Sequence, residues 1–527
     1  MEEDLRKAGS LALASYLYQL LGSTASTALL ALASIVIARL LEPEGYGVYS
    51  LSLAIPAAIS GIADLGLDLW IVRTSSRISR EGRLGEALGT SLLGILLVAL
   101  ASSILAFLVA LYSGFIASSI MGRPGLAPLI ALSALLIPAA SIGGASSSAL
   151  LGLGLPSYIG LIQLVMASTK LALSATLLAM GLGVYGAIAS HVIGYWVSSI
   201  FGLSALLILV GRRARPRLPS HGEFRGALAF SSPLFASKVA GSASSQYIYS
   251  VISRSISPGD LGGFQAASNL LSPLSLVSSP ILMSILPAAS RLGGGEAIRI
   301  SLLRATAYSS ALISPIALLT SILSYEALQI VYGSVYAGFW WILTVLSTSH
   351  ILLAILGSHA TASYTLVQGD SKSYMYASMM GIASQVVIIT MLVPTLGVIG
   401  ILAAQVISSI SGSLYFLIKI SRELGIGVRE ILSKGSMPVL ANLAASIPLL
   451  IASISARHSL LVLGMASLAY AALYTASLPI LGLRKAELEG LQKILGGSRW
   501  LSCLMTPILR YMIYIRALAD RLGINNS

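Results

Sequence analysis

The sequence predicts an all-α polytopic membrane protein of about fourteen transmembrane helices. Three observations predict it: 56% of the 527 residues are hydrophobic, only 10% are charged, and apolar runs of spanning length recur from end to end. A soluble domain carries about 25% charged residues, so the deficit excludes a soluble enzyme. Lipid offers backbone amides no water, which makes helices the default, and the alternation of a membrane barrel is missing. At about 20 residues per crossing, the length holds roughly a dozen or more spans and leaves no room for a large aqueous domain.

The chain opens MEEDLRKAGS, with three acids before Arg6 and Lys7, and the apolar run behind it lasts to Leu40 without a small-residue cleavage site. That pattern predicts a retained first span and no cleaved signal. Cutting at charged or Gly/Pro-rich breaks gives fourteen segments: 9–40, 45–72, 88–113, 126–153, 157–180, 185–210, 226–255, 261–290, 301–324, 338–366, 373–393, 397–420, 436–455 and 459–481. After Leu483, arginines 499, 510 and 516 interrupt the apolar pattern every few residues. The tail therefore reads as amphipathic helix lying at the interface.

Basic residues set the orientation. Alternate loops and both termini hold 26 Lys and Arg, including Arg73, Arg77, Arg80 and Arg83 and the group from Arg212 to Arg225, against four on the other side: Arg39, Arg123, Arg254 and Arg457. The positive-inside rule then places both termini in the cytoplasm of a plasma-membrane protein, and an even span count keeps the asymmetry. No basic stretch is long or interleaved with aromatics, so the net charge of +13 does not mark a nucleic-acid surface. The single cysteine, Cys503, excludes internal disulfides. No pair of histidines has ligand spacing with a carboxylate, so no metal site is assigned, and no cofactor is expected.

An internal repeat organises the chain. Val36, Ile37, Ala38, Arg39, Pro43, Gly47 and Tyr49 align with Val251, Ile252, Ser253, Arg254, Pro258, Gly262 and Phe264 at a constant offset of 215. Six spans separate the copies, so both keep one orientation, which is the parallel kind of transporter repeat. The expected layout is an N-terminal six-helix lobe over 1–215, a C-terminal six-helix lobe over 216–430, two added spans over 431–483 and an interfacial tail over 484–527.

The stretch ARLLEPEGYGVYSLSLAIPAAISGIADLGLDLWIVR, residues 38–73, resembles the first-to-second-span signature of polysaccharide flippases. Ser232-Pro233 through Arg254, Pro258 and Phe264 is similar to the start of that family's second lobe. The resemblance implies the multidrug/oligosaccharidyl-lipid/polysaccharide superfamily, with two bundles alternating access to a central cavity. Many relatives carry an acid in the seventh span where this chain has Tyr247, Tyr249 and Ser250.

Charges inside spans mark candidate sites, since each costs roughly 2.5 to 3.5 kcal/mol at the bilayer centre on insertion scales. Lys170 in the fifth span and Lys238 in the seventh reach a similar depth and suit a diphosphate as point-charge donors. The blander alternative has each bonding carbonyls or hydroxyls of its own lobe. Asp64 and Asp68 share one face of the second span. They are expected to pair with arginines such as Arg73 or Arg77, or else with a lysine or a coupling cation. Arg39 and Arg254, at equivalent outer helix ends, are gate candidates or simple snorkelling caps. His350 falls near the midplane of the tenth span, as a cargo contact or a packing histidine.

No Ser/His/Asp set, Walker loop or paired outward carboxylates appear, so the chain is expected not to be an enzyme. The leading expectation is a flippase for lipid-linked anionic oligosaccharide, a polyprenyl phosphate or diphosphate sugar, working among membrane lipids. Na+ or H+ is left open as a coupling ion. The alternatives are a multidrug/cation antiporter, for which the in-span lysines have the wrong sign, and a membrane-embedded enzyme on the same lipid carrier, for which the outward loops are too short.

Overall fold

A computed structural model describes residues 2–217, 221–272, 274, 295–368, 370–455, 459–480, 510–517 and 521. The second half of the eighth span, Arg291, Arg457 and Cys503 lie outside the described residues, and the tail expected over 484–527 is described only at 510–517 and 521.

The described secondary structure is helical, and it divides into two compact units. The first comprises Met1–Ala266, Val331–Tyr336 and Ile389–Ile401, and the second Ala267–Ile330, Ala337–Ile388 and Leu402–Ser527.

In the first unit, α1 (Glu2–Ser60) is two helical arms joined at Glu42, whose φ of 56° is non-helical. Pro43 opens the second arm, a position where its missing N–H costs nothing. Then follow α2 (Leu67–Arg80) and α3 (Leu84–Leu111). The fourth span is α4 (Ala127–Ser133) continued by α5 (Leu136–Gly152). Next come α6 (Ser157–Ala179), α7 (Gly183–Leu209) and α8 (His221–Ser255). Trp70, Ile71, Leu88, Ile95, Leu150 and Leu206 form a buried core that ties α2 to α3, α5 and α7. Apolar side chains on the opposite faces stay bare: Phe107 is 66% exposed and Met180 73%. A surface of that kind suits lipid rather than water.

The second unit takes up the rest of helix 258–272, named α9, followed by α10 (Gly295–Ile322) and α11 (Ser324–Tyr332). It continues with α12 (Trp340–Ile355), α13 (Ser358–Val367), α14 (Ser371–Leu396) and α15 (Val398–Leu424). The last described spans are α16 (Val428–Ala445) with α17 (Ile447–Ser455), then α18 (Leu460–Ile480). Leu302, Tyr364, Leu417, Ile420 and Ile431 form one core cluster here, and Leu449, Tyr470 and Tyr474 belong to another.

Among the described residues ten helices are long and apolar enough to cross a membrane, or eleven if the bent pair α16–α17 is one span. Three features separate this from fourteen. The first span and the start of the second count as one 40-residue helix through the Glu42 kink. The second span breaks at 61–66, and α8 is rich in serine and carries Lys238. The eighth runs into residues that are not described.

The two repeat copies meet each other in the first unit. A Cβ on Gly47 would lie 1.8 Å from the carbonyl oxygen of Pro258, and one on Gly262 would lie 2.0 Å from that of Pro43. Only glycine allows backbones this close. The aligned arginines cross over in the same way. Arg39 Nε donates to the carbonyl of Val331 at 2.7 Å, in the segment before the tenth span. Arg254 donates from Nε to the carbonyl of Ile120 at 2.9 Å and from Nη2 to that of Ser119, before the fourth span. Each copy's arginine thus holds the loop that belongs to the other copy.

Candidate functional site

The second span is interrupted. Its helix ends at Ser60, and turn bonds such as Ala63 N to Ile59 O (2.9 Å) and Leu65 N to Ile62 O (3.0 Å) carry the chain to α2. Leu65 (φ 53°) and Gly66 (φ 71°) are left-handed, a conformation unusual for leucine. Asp64 stands in this break, 5% exposed. Its Oδ1 accepts the amide of Gly66 at 3.1 Å, so the carboxylate satisfies one of the donors that the break frees.

Lys238 on α8 donates to Asp64 Oδ2. The partner lies 174 positions along the chain, where the simplest expectation was a nearby arginine such as Arg73 or Arg77. Lys238 heads a stripe at helical spacing that follows the second span. Ser242 Oγ donates to the carbonyl of Ala58 at 3.1 Å and Gln246 Nε2 to that of Ala54 at 3.4 Å. Side chains four apart share a face, so α8 supplies hydrogen bonds to a helix about to end. The Lys238 side chain is 39% exposed against 7% for Asp64, so the ammonium keeps access to a second anion.

Asp68 opens α2 one turn further on. It lies close enough to Asp64 and Lys238 for their charges to act on it. Its Oδ1 is buried without a hydrogen-bond partner among the described residues. Among the described residues the cluster brings together two carboxylates and one ammonium.

Lys170 belongs to a different cluster of the same unit. It is 8% exposed, and its Cβ packs 3.3 Å from where a Cβ on Gly194 would stand. Among the described residues no ion pair reaches it, and its electrostatic neighbour is His191. His191 Nδ1 hydrogen-bonds Tyr49 Oη at 2.9 Å and stacks on Tyr195 at 5.3 Å. Tyr49 stacks on Tyr46, whose hydroxyl meets Ser34 Oγ at 2.8 Å. Sequence reasoning missed this network. Its only signal was the helical spacing of Tyr46 with Tyr49 and of His191 with Tyr195.

Arg39 and Arg254 donate to backbone carbonyls of distant segments, as described above, and Arg123 adds a third such contact through Nε to Ser253 O at 2.7 Å. His350 lies in the second unit, where its Nδ1 donates to Leu346 O at 2.9 Å beside a cavity of about 240 Å³.

Residues 36–340 match the family described as polysaccharide biosynthesis protein. The chain belongs to this family. The resemblance drawn from residues 38–73 is thereby borne out in family. The chain is also similar to the succinoglycan biosynthesis transport protein ExoT of Rhizobium meliloti (strain 1021), at 25% identity over 322 residues. The match spans 60% of this chain and 62% of that relative. The fold is similar to that of the lipid II flippase MurJ in an inward closed conformation, with TM-score 0.69 and 16% identity over 86% of this chain and 97% of MurJ. It is also similar to an inward-facing multidrug resistance MATE transporter of the MOP superfamily, with TM-score 0.60 and 16% identity over 75% of this chain and 95% of that one. The chain is thus a membrane protein whose described secondary structure is helical, with the fold of these proteins, and its apolar spans make it multi-pass.

Proposed function

We propose that the chain is a flippase that carries a lipid-linked oligosaccharide, a polyprenyl phosphate or diphosphate sugar, from the cytoplasmic to the outer leaflet by alternating access. It sits in the plasma membrane with both termini in the cytoplasm, and it acts as a transporter rather than an enzyme. The observation that carries this reading is the Lys238–Asp64 pair at the interrupted second span, in a member of a polysaccharide biosynthesis family.

The chemistry runs as an exchange of partners. A phosphate offers more charge than a carboxylate and accepts the same point-charge donor. An arriving headgroup takes the exposed side of Lys238, and the hold of Asp64 on the ammonium weakens. Asp64 and Asp68, left facing each other, then need a cation, because two adjacent carboxylates do not both stay ionised without one. A proton or sodium ion meets that need, which links cargo binding to a coupling ion. An inside-negative potential also favours outward movement of negative charge, by about 2.3 kcal/mol per charge per 100 mV. Broken spans are where transporters of other folds place such sites, because irregular backbone is tolerated only against protein or a cavity.

The test is translocation of a fluorescent polyprenyl diphosphate sugar in proteoliposomes. Lys238→Ala is expected to stop transport while the protein still reconstitutes, and Lys238→Arg to keep part of it. Full transport by Lys238→Ala would sink the assignment.

A further inference from the structure

The second unit holds a cavity of about 240 Å³ with an unusual rim. Among the described residues Ser268 and Ser272 on α9, His350 on α12, His359 on α13 and Gln405 on α15 supply its polar groups. Leu271, Leu274, Ile313 and Leu346 contribute much of the apolar wall. No described acid, lysine or arginine lines it.

The hydrogen-bond chemistry at this rim is incomplete. A carbonyl only accepts, so the 2.9 Å bond from His350 to Leu346 O puts a proton on Nδ1 and turns Nε2 to other partners. Among the described residues His359 Nε2 and Ser268 Oγ are buried with no hydrogen-bond partner. Unpaired buried groups of this kind are costly, and five polar side chains from four helices converge on one space.

The missing occupant can be specified by elimination. Among the described residues a cation would find no carboxylate at the rim to balance it, and a phosphate would find no lysine or arginine. A zinc-like metal would find two imidazoles with only an amide and two hydroxyls beside them among the described residues, short of the usual three strong protein ligands. A neutral ring carrying hydroxyls meets every requirement. Each hydroxyl donates to an imidazole nitrogen or the Gln405 carbonyl and accepts from Ser268 or the Gln405 amide, while C–H faces pack on leucine and isoleucine. Apolar walls with a few placed polar groups are the usual make-up of small-molecule sites.

We propose that this cavity binds one neutral sugar ring of the cargo, with His350, His359, Ser268 and Gln405 as its hydrogen-bonding rim. The inference rests on the flippase reading and gives it a sugar-recognition element that is separate in chemistry from the phosphate-binding role of Lys238.

The test uses the full-length protein in nanodiscs, labelled with 15N-histidine, so that only five residues report. Methyl glycosides of neutral hexoses, 6-deoxyhexoses and N-acetylhexosamines are titrated, with glycerol as the control. Assignments come from His350→Phe and His359→Phe. At least one glycoside is expected to shift the ring nitrogens of both His350 and His359 in a saturable way, and Gln405→Leu to weaken that binding about three- to tenfold, as for one lost neutral hydrogen bond. If no glycoside saturates, or if glycerol produces the same shifts, the cavity holds only water and the proposal fails. Saturable sugar shifts in a protein that does not move lipid-linked oligosaccharide would uphold the cavity and overturn the flippase reading. Transport without any sugar shift would do the reverse.

Discussion

Gly47 and Gly262 occupy one contact from its two sides. Each lies against the backbone carbonyl of the other copy's proline, Pro258 for Gly47 and Pro43 for Gly262. The sequence repeat is therefore also a packing symmetry, and the aligned Arg39 and Arg254 extend it by each donating to a backbone carbonyl in the other half of the repeat.

Alanine at either glycine puts a methyl carbon within 2.0 Å of a backbone oxygen, which no rotamer change can relieve. Gly47→Ala and Gly262→Ala should each destabilise by about 1 to 3 kcal/mol, as overpacking does. Because both changes push the same two turns apart, the double variant should cost less than the sum. Thermal unfolding of the four proteins in detergent measures this, and strict additivity would show that the two contacts are independent.

The Lys238–Asp64 pair predicts an asymmetric response. Removing the ammonium strands a carboxylate that is 7% exposed, whereas removing the carboxylate strands an ammonium that is 39% exposed and still solvated. Lys238→Met should therefore cost more stability than Asp64→Asn, about 3 kcal/mol for the former at the low end for broken buried pairs. The double variant Lys238→Met with Asp64→Asn should recover most of that loss. Equal costs for the two single variants would mean that the pair behaves as a surface ion pair.

How much of this was legible follows from what each feature depends on. Span positions depend on local composition, so the apolar segments could be read directly. The repeat could be read because Arg, Pro and Gly recur at one offset. Which copy's glycine touches which proline could not, because a sequence offset gives equivalence and not contact. The break at 61–66 left two signals, Gly61 and Gly66 around Asp64, but both fall inside an apolar run and were absorbed into a continuous span. The partner of Asp64 was out of reach because α8 returns to it from 174 residues away. The Ser34, Tyr46, Tyr49 and His191 network stayed hidden for the same reason, since it joins the two arms of α1 to α7.

Asp370, in the loop between α13 and α14, gives a pH prediction. The ammonium of Lys419, with the hydroxyl and amide of Ser373, holds its carboxyl below the usual carboxylate range. A lowered folded value means that the unfolded chain binds the proton first as pH falls. The stabilisation is full above about pH 4, near the unfolded aspartate value, and is lost as pH drops through the lower folded value. Wild type should therefore lose melting temperature more steeply than Asp370→Asn as pH falls from about 5 toward 3. Parallel curves would show that the Lys419 contact does not form in the membrane.

Gly66 tests whether the break itself matters. Its φ of 71° suits glycine, is tolerated by asparagine and costs about 1 kcal/mol or more for other residues. Its amide also anchors Asp64 Oδ1, so a shift of backbone here turns the carboxylate away from Lys238. If conformation decides, transport by Gly66→Asn should exceed that by Gly66→Ala, with Gly66→Val lowest because a β-branched side chain is the least tolerant of positive φ. Steric exclusion alone ranks the smaller alanine above asparagine. Initial rates of headgroup translocation, normalised to reconstituted protein, separate the two orders, and alanine above asparagine would reduce the break to a matter of space.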